Sequence, residues 1–194
     1  MNWVYDLPIG RGRWLAGEIP GWANHVIGGW TFSGLWRLTS GFPFNVQNCR
    51  SCWPTNWNLQ GNASLANPGV LPELGTTKNA VGGRPSPFVN PADALTKFRF
   101  SFPGEVGLRN VLRGDGYFVL DFGVGKSWHM PWLEGHSLKF RWETFNVTNT
   151  PKFDTGAVTM LPDIASSFGR YNGTFATCDG FAGRCMQFAF RYEF

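Results

Sequence analysis

The end of the chain alternates strictly. Met186, Phe188, Phe190, Tyr192 and Phe194 fall on one face, and Gln187, Ala189, Arg191 and Glu193 on the other. A period of two predicts a strand over 184–194 with one apolar and one polar face. A soluble sandwich strand produces the same pattern, so this strand alone decides nothing.

The split recurs upstream. In 137–147, Leu138, Phe140 and Trp142 alternate with Lys139, Arg141 and Glu143. In 117–128, Phe118, Leu120, Phe122 and Val124 alternate with Val119, Asp121, Gly123 and Gly125, and the apolar row ends in Lys126 and Trp128. Those two residues are expected at an interface, where long stems snorkel and rings anchor. A fourth strand is predicted over 28–47, with Trp30, Phe32, Trp36 and Leu38 opposite Thr31, Ser33, Arg37 and Thr39. Leu35 breaks the pattern and Pro43 limits pairing beyond it. Trp3, Tyr5 and Leu7 mark a short strand over 2–8. The polar rows collect Arg37, Asp121, Lys139, Arg141, Glu143, Arg191 and Glu193, which suit a wet lumen better than a packed core. With Lys139 near Glu193, antiparallel register is expected to place Arg141 diagonal to Glu193 and Glu143 diagonal to Arg191.

The connections differ in length. The segment 9–27 contains GRGRW and PGWANHVI, the latter able to form a helical turn, and 130–135 is short. The segments 48–116 and 149–183 are long and rich in Gly, Pro and Asn. Short turns on one side and long loops on the other are the signature of an outer-membrane barrel. Loops of such length are uncommon in a compact soluble domain. The predicted fold is all-β, an antiparallel transmembrane β-barrel fragment holding about the last five strands of a larger barrel, with its C-terminus periplasmic and its long loops extracellular.

Composition agrees with this. Charged residues make up 15% and aromatics 16% of the 194 residues, against roughly 25% charged in an average soluble domain. No run reaches the roughly 20 apolar residues of a spanning helix, and 25 Gly and 13 Pro interrupt helical periodicity. The net charge of +4 is spread along the chain without a basic run, so no nucleic-acid partner is expected. The start at Met1 shows no basic region followed by an apolar one, so an export signal is expected upstream.

Candidate chemistry adds little. His25, His129 and His136 have no metal-ligand spacing, and no GxSxG, P-loop or Rossmann fingerprint occurs. Asp154, Asp163 and Asp179 sit in loops without a nucleophile or the spacing of an EF-hand. Neither an enzyme nor a cofactor is expected. Cys49 with Cys52, and Cys178 with Cys185, are expected to form two local disulfides in an oxidising compartment. Free thiols or a metal site at the CxxC are the alternatives. Trp53, Trp57, Phe175 and Phe181 are candidate loop contacts for a ligand, with loop packing as the competing role.

The ordered segments GGWTFSGLWRLTSGFPFNV, FVNPADAL, GLRNVLRGDGYFVLDFGVGKSW, LKFRWETFNVTNTPKF, SSFGR and QFAFRYEF resemble the C-terminus of TonB-dependent receptors. The closest resemblance is to the Oar-like type that carries a carboxypeptidase-regulatory-like domain. It covers nearly the whole chain and is most specific from Gly107 to Phe153 and in the final strand. It implies a barrel of roughly 22 strands around a plug, driven by the inner-membrane TonB complex and taking up a large nutrient such as an iron chelate, oligosaccharide or peptide, or serving surface interaction. Coupling to TonB would run through an N-terminal part that these residues do not contain. The resemblance also implies that Phe188, Phe190, Tyr192 and Phe194 form a signal for the barrel-assembly machinery; their simpler role is to cover lipid. A secreted carbohydrate-binding sandwich and a passive porin are the alternatives.

Overall fold

A computed structural model of the chain describes residues 1–48, 61–130 and 135–194. Two compact units emerge. One comprises Met1–Leu38, Phe118–Pro151 and Ala176–Phe194, and the other Thr39–Tyr117 and Lys152–Phe175.

The first unit is built on a sheet of β1 (Asn2–Asp6), β2 (Trp30–Thr39), β3 (Tyr117–His129), β4 (Ser137–Phe145) and β5 (Cys185–Glu193), each hydrogen-bonded to its neighbour in chain order. Their aromatic and β-branched residues suit a pleated surface with one apolar side. β1 with β2, β3 with β4, and β4 with β5 are antiparallel. Ring contacts Phe32–Phe122 and Trp36–Phe118 run in opposite senses along β2 and β3, so that pair is antiparallel as well. The connections 7–29 and 130–136 therefore leave one end of the sheet, where Glu193 also ends β5. The connections 40–116 and 146–184 leave the other end.

Three local features shape this sheet. Gly34 lies under the Trp3 indole, whose ring carbons come within 2.5 Å of where a Cβ would stand. The missing side chain thus seats an aromatic cross-strand partner. The strand expected over 28–47 ends at Thr39, a correction with a steric cause: a Cβ at Gly41 would fall 1.5 Å from the Gly114 carbonyl oxygen. The chain turns there, and Pro43–Phe44 pairs separately with Leu112–Arg113. In the 9–27 connection, helix α1 (Gly21–Ile27) follows Pro20 at its N-cap.

The second unit is more ordered than a pair of loops. Its hairpin of Leu74–Val81 and Arg84–Phe88 turns through Gly82 and Gly83, both at positive φ, the geometry of a tight two-residue turn. Helix α2 (Pro91–Thr96) is capped by the Asn90 carboxamide, which accepts from the Ala92 and Asp93 amides at 3.1 and 3.2 Å, with Pro91 at the first turn. The core gathers Phe44, Val46, Phe88, Phe98, Leu112 and Phe168 from both connections. Phe168 stacks on Phe88 at 5.6 Å and meets Phe98 at 6.2 Å.

Phe168→Ala is expected to lower the stability of this unit by about 3–5 kcal/mol, because it empties the middle of a closed ring cluster. Faster proteolysis within 61–117, with unchanged proteolysis of the five-stranded sheet, is the expected readout.

Candidate functional site

The sheet carries a different chemistry on each face. On the apolar face the ladder sets Leu138 against Tyr192, Phe140 against Phe190, and Trp142 against Phe188. The Phe140 and Phe190 rings are 5.1 Å apart, and Trp142 stacks with Phe188 at 6.3 Å. These rings are not buried: Phe188 and Phe190 remain 67% and 70% exposed, and Phe194, just past β5, 91%. In a chain of this aromatic content, such a contiguous exposed row marks a surface made for apolar contact.

The opposite face is polar and linked. Arg37 on β2 donates to Asp121 on β3 at 2.9 Å, and Asp121 also accepts the Asn146 amide at 2.8 Å. Lys139 pairs with Glu193 at 2.6 Å, Arg191 with Glu193 at 3.1 Å, and Arg141 with Glu143. Gln187 donates to Glu143, and Thr31 to Asp6 at 2.6 Å. Gly125 and Gly123 stand opposite Arg141 and Glu143, so the long side chains lie over strand positions that present no side chain.

The register differs from the expected one by two residues. Lys139 stands opposite Arg191, Arg141 opposite Ala189, and Glu143 opposite Gln187. Lys139 reaches Glu193 diagonally, whereas Arg141 and Glu143 bond to each other along β4 and make neither expected diagonal. The start of β5 sets this register. Asn149, in the left-handed region at φ 53°, accepts the Arg184 amide through Oδ1 at 2.9 Å, and Phe145 then faces Cys185. Asn146, also left-handed, closes the same turn, its Oδ1 accepting the Thr150 amide at 3.1 Å. The asparagines of FNVTNT thus act on the backbone, a role for which Asn is suited because its short polar side chain tolerates that conformation.

One cation lies on the apolar side. Lys126, 4% exposed, donates to the carbonyls of Val26 at 2.6 Å and Gly28 at 2.8 Å, at the C-terminal end of α1. Its ammonium lies 4.7 Å from the Trp30 ring centre and 5.4 Å from that of Trp128. Both indoles also donate to the helix end, Trp30 to the Val26 carbonyl at 2.9 Å and Trp128 to that of His25 at 2.8 Å. The helix terminus and the two rings attract the same positive charge. Alternation placed Lys126 and Trp128 at a strand end; their common partner in α1 lies about a hundred residues earlier in the chain, beyond the reach of any local pattern.

The remaining candidates separate. Cys178 and Cys185 are joined, with Cα atoms 6.7 Å apart; Cys49, Cys52, Trp53 and Trp57 lie outside the described residues. The Phe175 ring packs on Phe42 at 5.8 Å and Tyr117 at 6.3 Å, while Phe181 is 71% exposed. No cluster of three or more metal-ligating side chains occurs among the described residues.

A family model described as outer membrane beta barrel domain matches residues 1–187. The chain belongs to that family. No curated protein and no solved structure matches it. Membership gives the two faces of this outer-membrane barrel domain their context: an all-β antiparallel fold whose strands, rather than helices, meet the membrane.

In the second unit of the barrel domain, Arg99 holds Glu105 through two bonds of 2.7 and 2.8 Å, and Glu105 also accepts the Phe102 amide at 2.8 Å. The Arg99 hydrogen bonds, followed by that amide, hold the Glu105 carboxyl down to about 2. This lies below the ordinary value of about 4.3, so the pairing stabilises the loop fully above that range and is lost as pH falls from about 4.5 through 2. The Phe102 amide should lose exchange protection, corrected for intrinsic rate, across that window, and Glu105→Gln should abolish the pH dependence. Lys126→Met is expected to cost about 2–3 kcal/mol by leaving the α1 carbonyls and both rings without their cation. The midpoint of urea unfolding in lipid vesicles measures it.

Proposed function

We propose that this domain is the C-terminal barrel wall of a TonB-dependent transporter of the Oar-like type, its apolar face against outer-membrane lipid and its polar face lining the lumen. The observation that carries this reading is the sequential antiparallel sheet with a linked row of charges on one side and uncovered rings on the other. Charges joined across strands suit a wet passage, whereas exposed rings need hydrocarbon.

In this reading the C-terminus of β5 is periplasmic. The two long connections are extracellular, and the compact unit they build receives a large ligand, an iron chelate, oligosaccharide or peptide. The lumen is gated by a plug, and TonB engages that plug rather than these strands. No catalytic step or cofactor belongs to the mechanism: the strands supply a pore wall, and the inner-membrane complex supplies the work. A passive porin would need the same wall but no TonB contact.

Two measurements test this. The full-length protein is expected in the outer membrane, with heat-modifiable mobility, and to be captured by the isolated periplasmic domain of TonB; an assembled barrel that TonB does not capture is a porin. Deletion of Phe194 should lower the assembled fraction several-fold if the aromatic row Phe188, Phe190, Tyr192 and Phe194 is read by the barrel-assembly machinery. Unchanged assembly reduces those rings to lipid cover.

A further inference from the structure

At the end of the sheet where β1 turns to β2, residues 9–13 close against α1 and the end of β3 around a recess of about 330 Å³. Its titratable lining is Arg11, Arg13, His25, Lys126 and His129, without a carboxylate. Lys126 is committed to the helix carbonyls. Arg11 and Arg13 are not: among the described residues neither takes part in an ion pair.

The loop that carries them is held firmly. The Arg11 amide donates to Asn24 Oδ1 at 2.8 Å, the Gly12 amide to the Gly17 carbonyl at 3.2 Å, and the Arg13 amide to the Gly10 carbonyl at 2.9 Å. Gly10 permits the approach, since a Cβ there would stand 2.7 Å from Asn24 Oδ1 and 3.1 Å from Gly28 Cα. With those amides already bonded, an anion in the recess must be held by side chains, and two guanidinium groups offer the planar forks that match phosphate oxygens. Trp14, directly after Arg13, is 87% exposed, and Trp22 on α1 is 74% exposed. Indoles exposed beside a basic recess are the arrangement of a membrane–water boundary.

We propose that this recess binds the phosphate of an anionic glycerophospholipid, with Arg11 and Arg13 gripping its oxygens, His25 and His129 at the rim, and Trp14 and Trp22 beside the acyl chains. The inference rests on the membrane reading above, and it makes the β1–β2 turn a lipid clamp at the barrel margin. A double phosphate contact through two arginines predicts a loss of at least about tenfold in apparent affinity when both are neutralised.

The test compares the full-length protein with its Arg11→Gln/Arg13→Gln variant in detergent, titrated with phosphatidylglycerol and read by native mass spectrometry. Both side chains are exposed, so the variant should fold, and identical heat-modifiable mobility checks that it does. Wild type is expected to retain a phosphatidylglycerol that the variant loses, and millimolar inorganic phosphate should leave it in place. Equal retention by the two proteins overturns the proposal. Displacement by inorganic phosphate also overturns it, by making the recess a site for soluble phosphate. Failure of the barrel reading would show separately, as absence of heat-modifiable mobility and of outer-membrane fractionation in the wild-type protein.

Discussion

A strand in hydrocarbon has no water to accept its backbone hydrogen bonds, so every amide and carbonyl must find its partner within the protein. The sheet meets this demand in the simplest order, each strand beside its neighbours in sequence. Among the described residues β1 and β5 each have one neighbour. An open edge is tolerable in water but not in a bilayer, so closure requires further strands on both sides. The alternation and the unburied rings are consistent with this constraint.

Closure also explains how charge is distributed. On the polar face Asp121 is nearly buried, yet it holds Arg37 and the Asn146 amide, and the Arg141–Glu143 pair of β4 stands opposite Gly125 and Gly123 of β3. The two donors to Asp121 satisfy the hydrogen-bonding capacity of a carboxylate that has little solvent around it. On the apolar face one ammonium is tolerated, and only because two carbonyls and two indole faces surround Lys126. That arrangement ties α1 to β3 and brings the basic loop 9–13 to the rim of the sheet. The same contacts thus support a structural staple and the recess beside it.

The two long connections answer a different constraint. A large loop unit in water must bury apolar surface to hold a shape, and Phe44, Phe88, Phe98 and Phe168 do so from segments far apart in sequence. The Arg99–Glu105 pair and the capped helix α2 then order its surface. A loop unit with its own core keeps a defined surface, which unstructured loops do not.

Much of this was legible in the residue order. Period-two alternation located the strands because each pleat reports its face directly, and PGWANHVI announced α1. The signals for two further elements were also present: Asn90 before Pro91 caps a helix, and Gly82–Gly83 between strand-like runs turns a hairpin. They were hidden inside segments whose composition suggested only loop. Alternation by itself determined which side chains share a face, since that depends on one strand alone. Tertiary structure alone decided the register of β5 against β4, the cage around Lys126 and the joint core of the two connections. Each depends on which distant backbone comes near, as when Asn149 pins Arg184 or the end of α1 meets Lys126, and a local pattern carries no information about that distance.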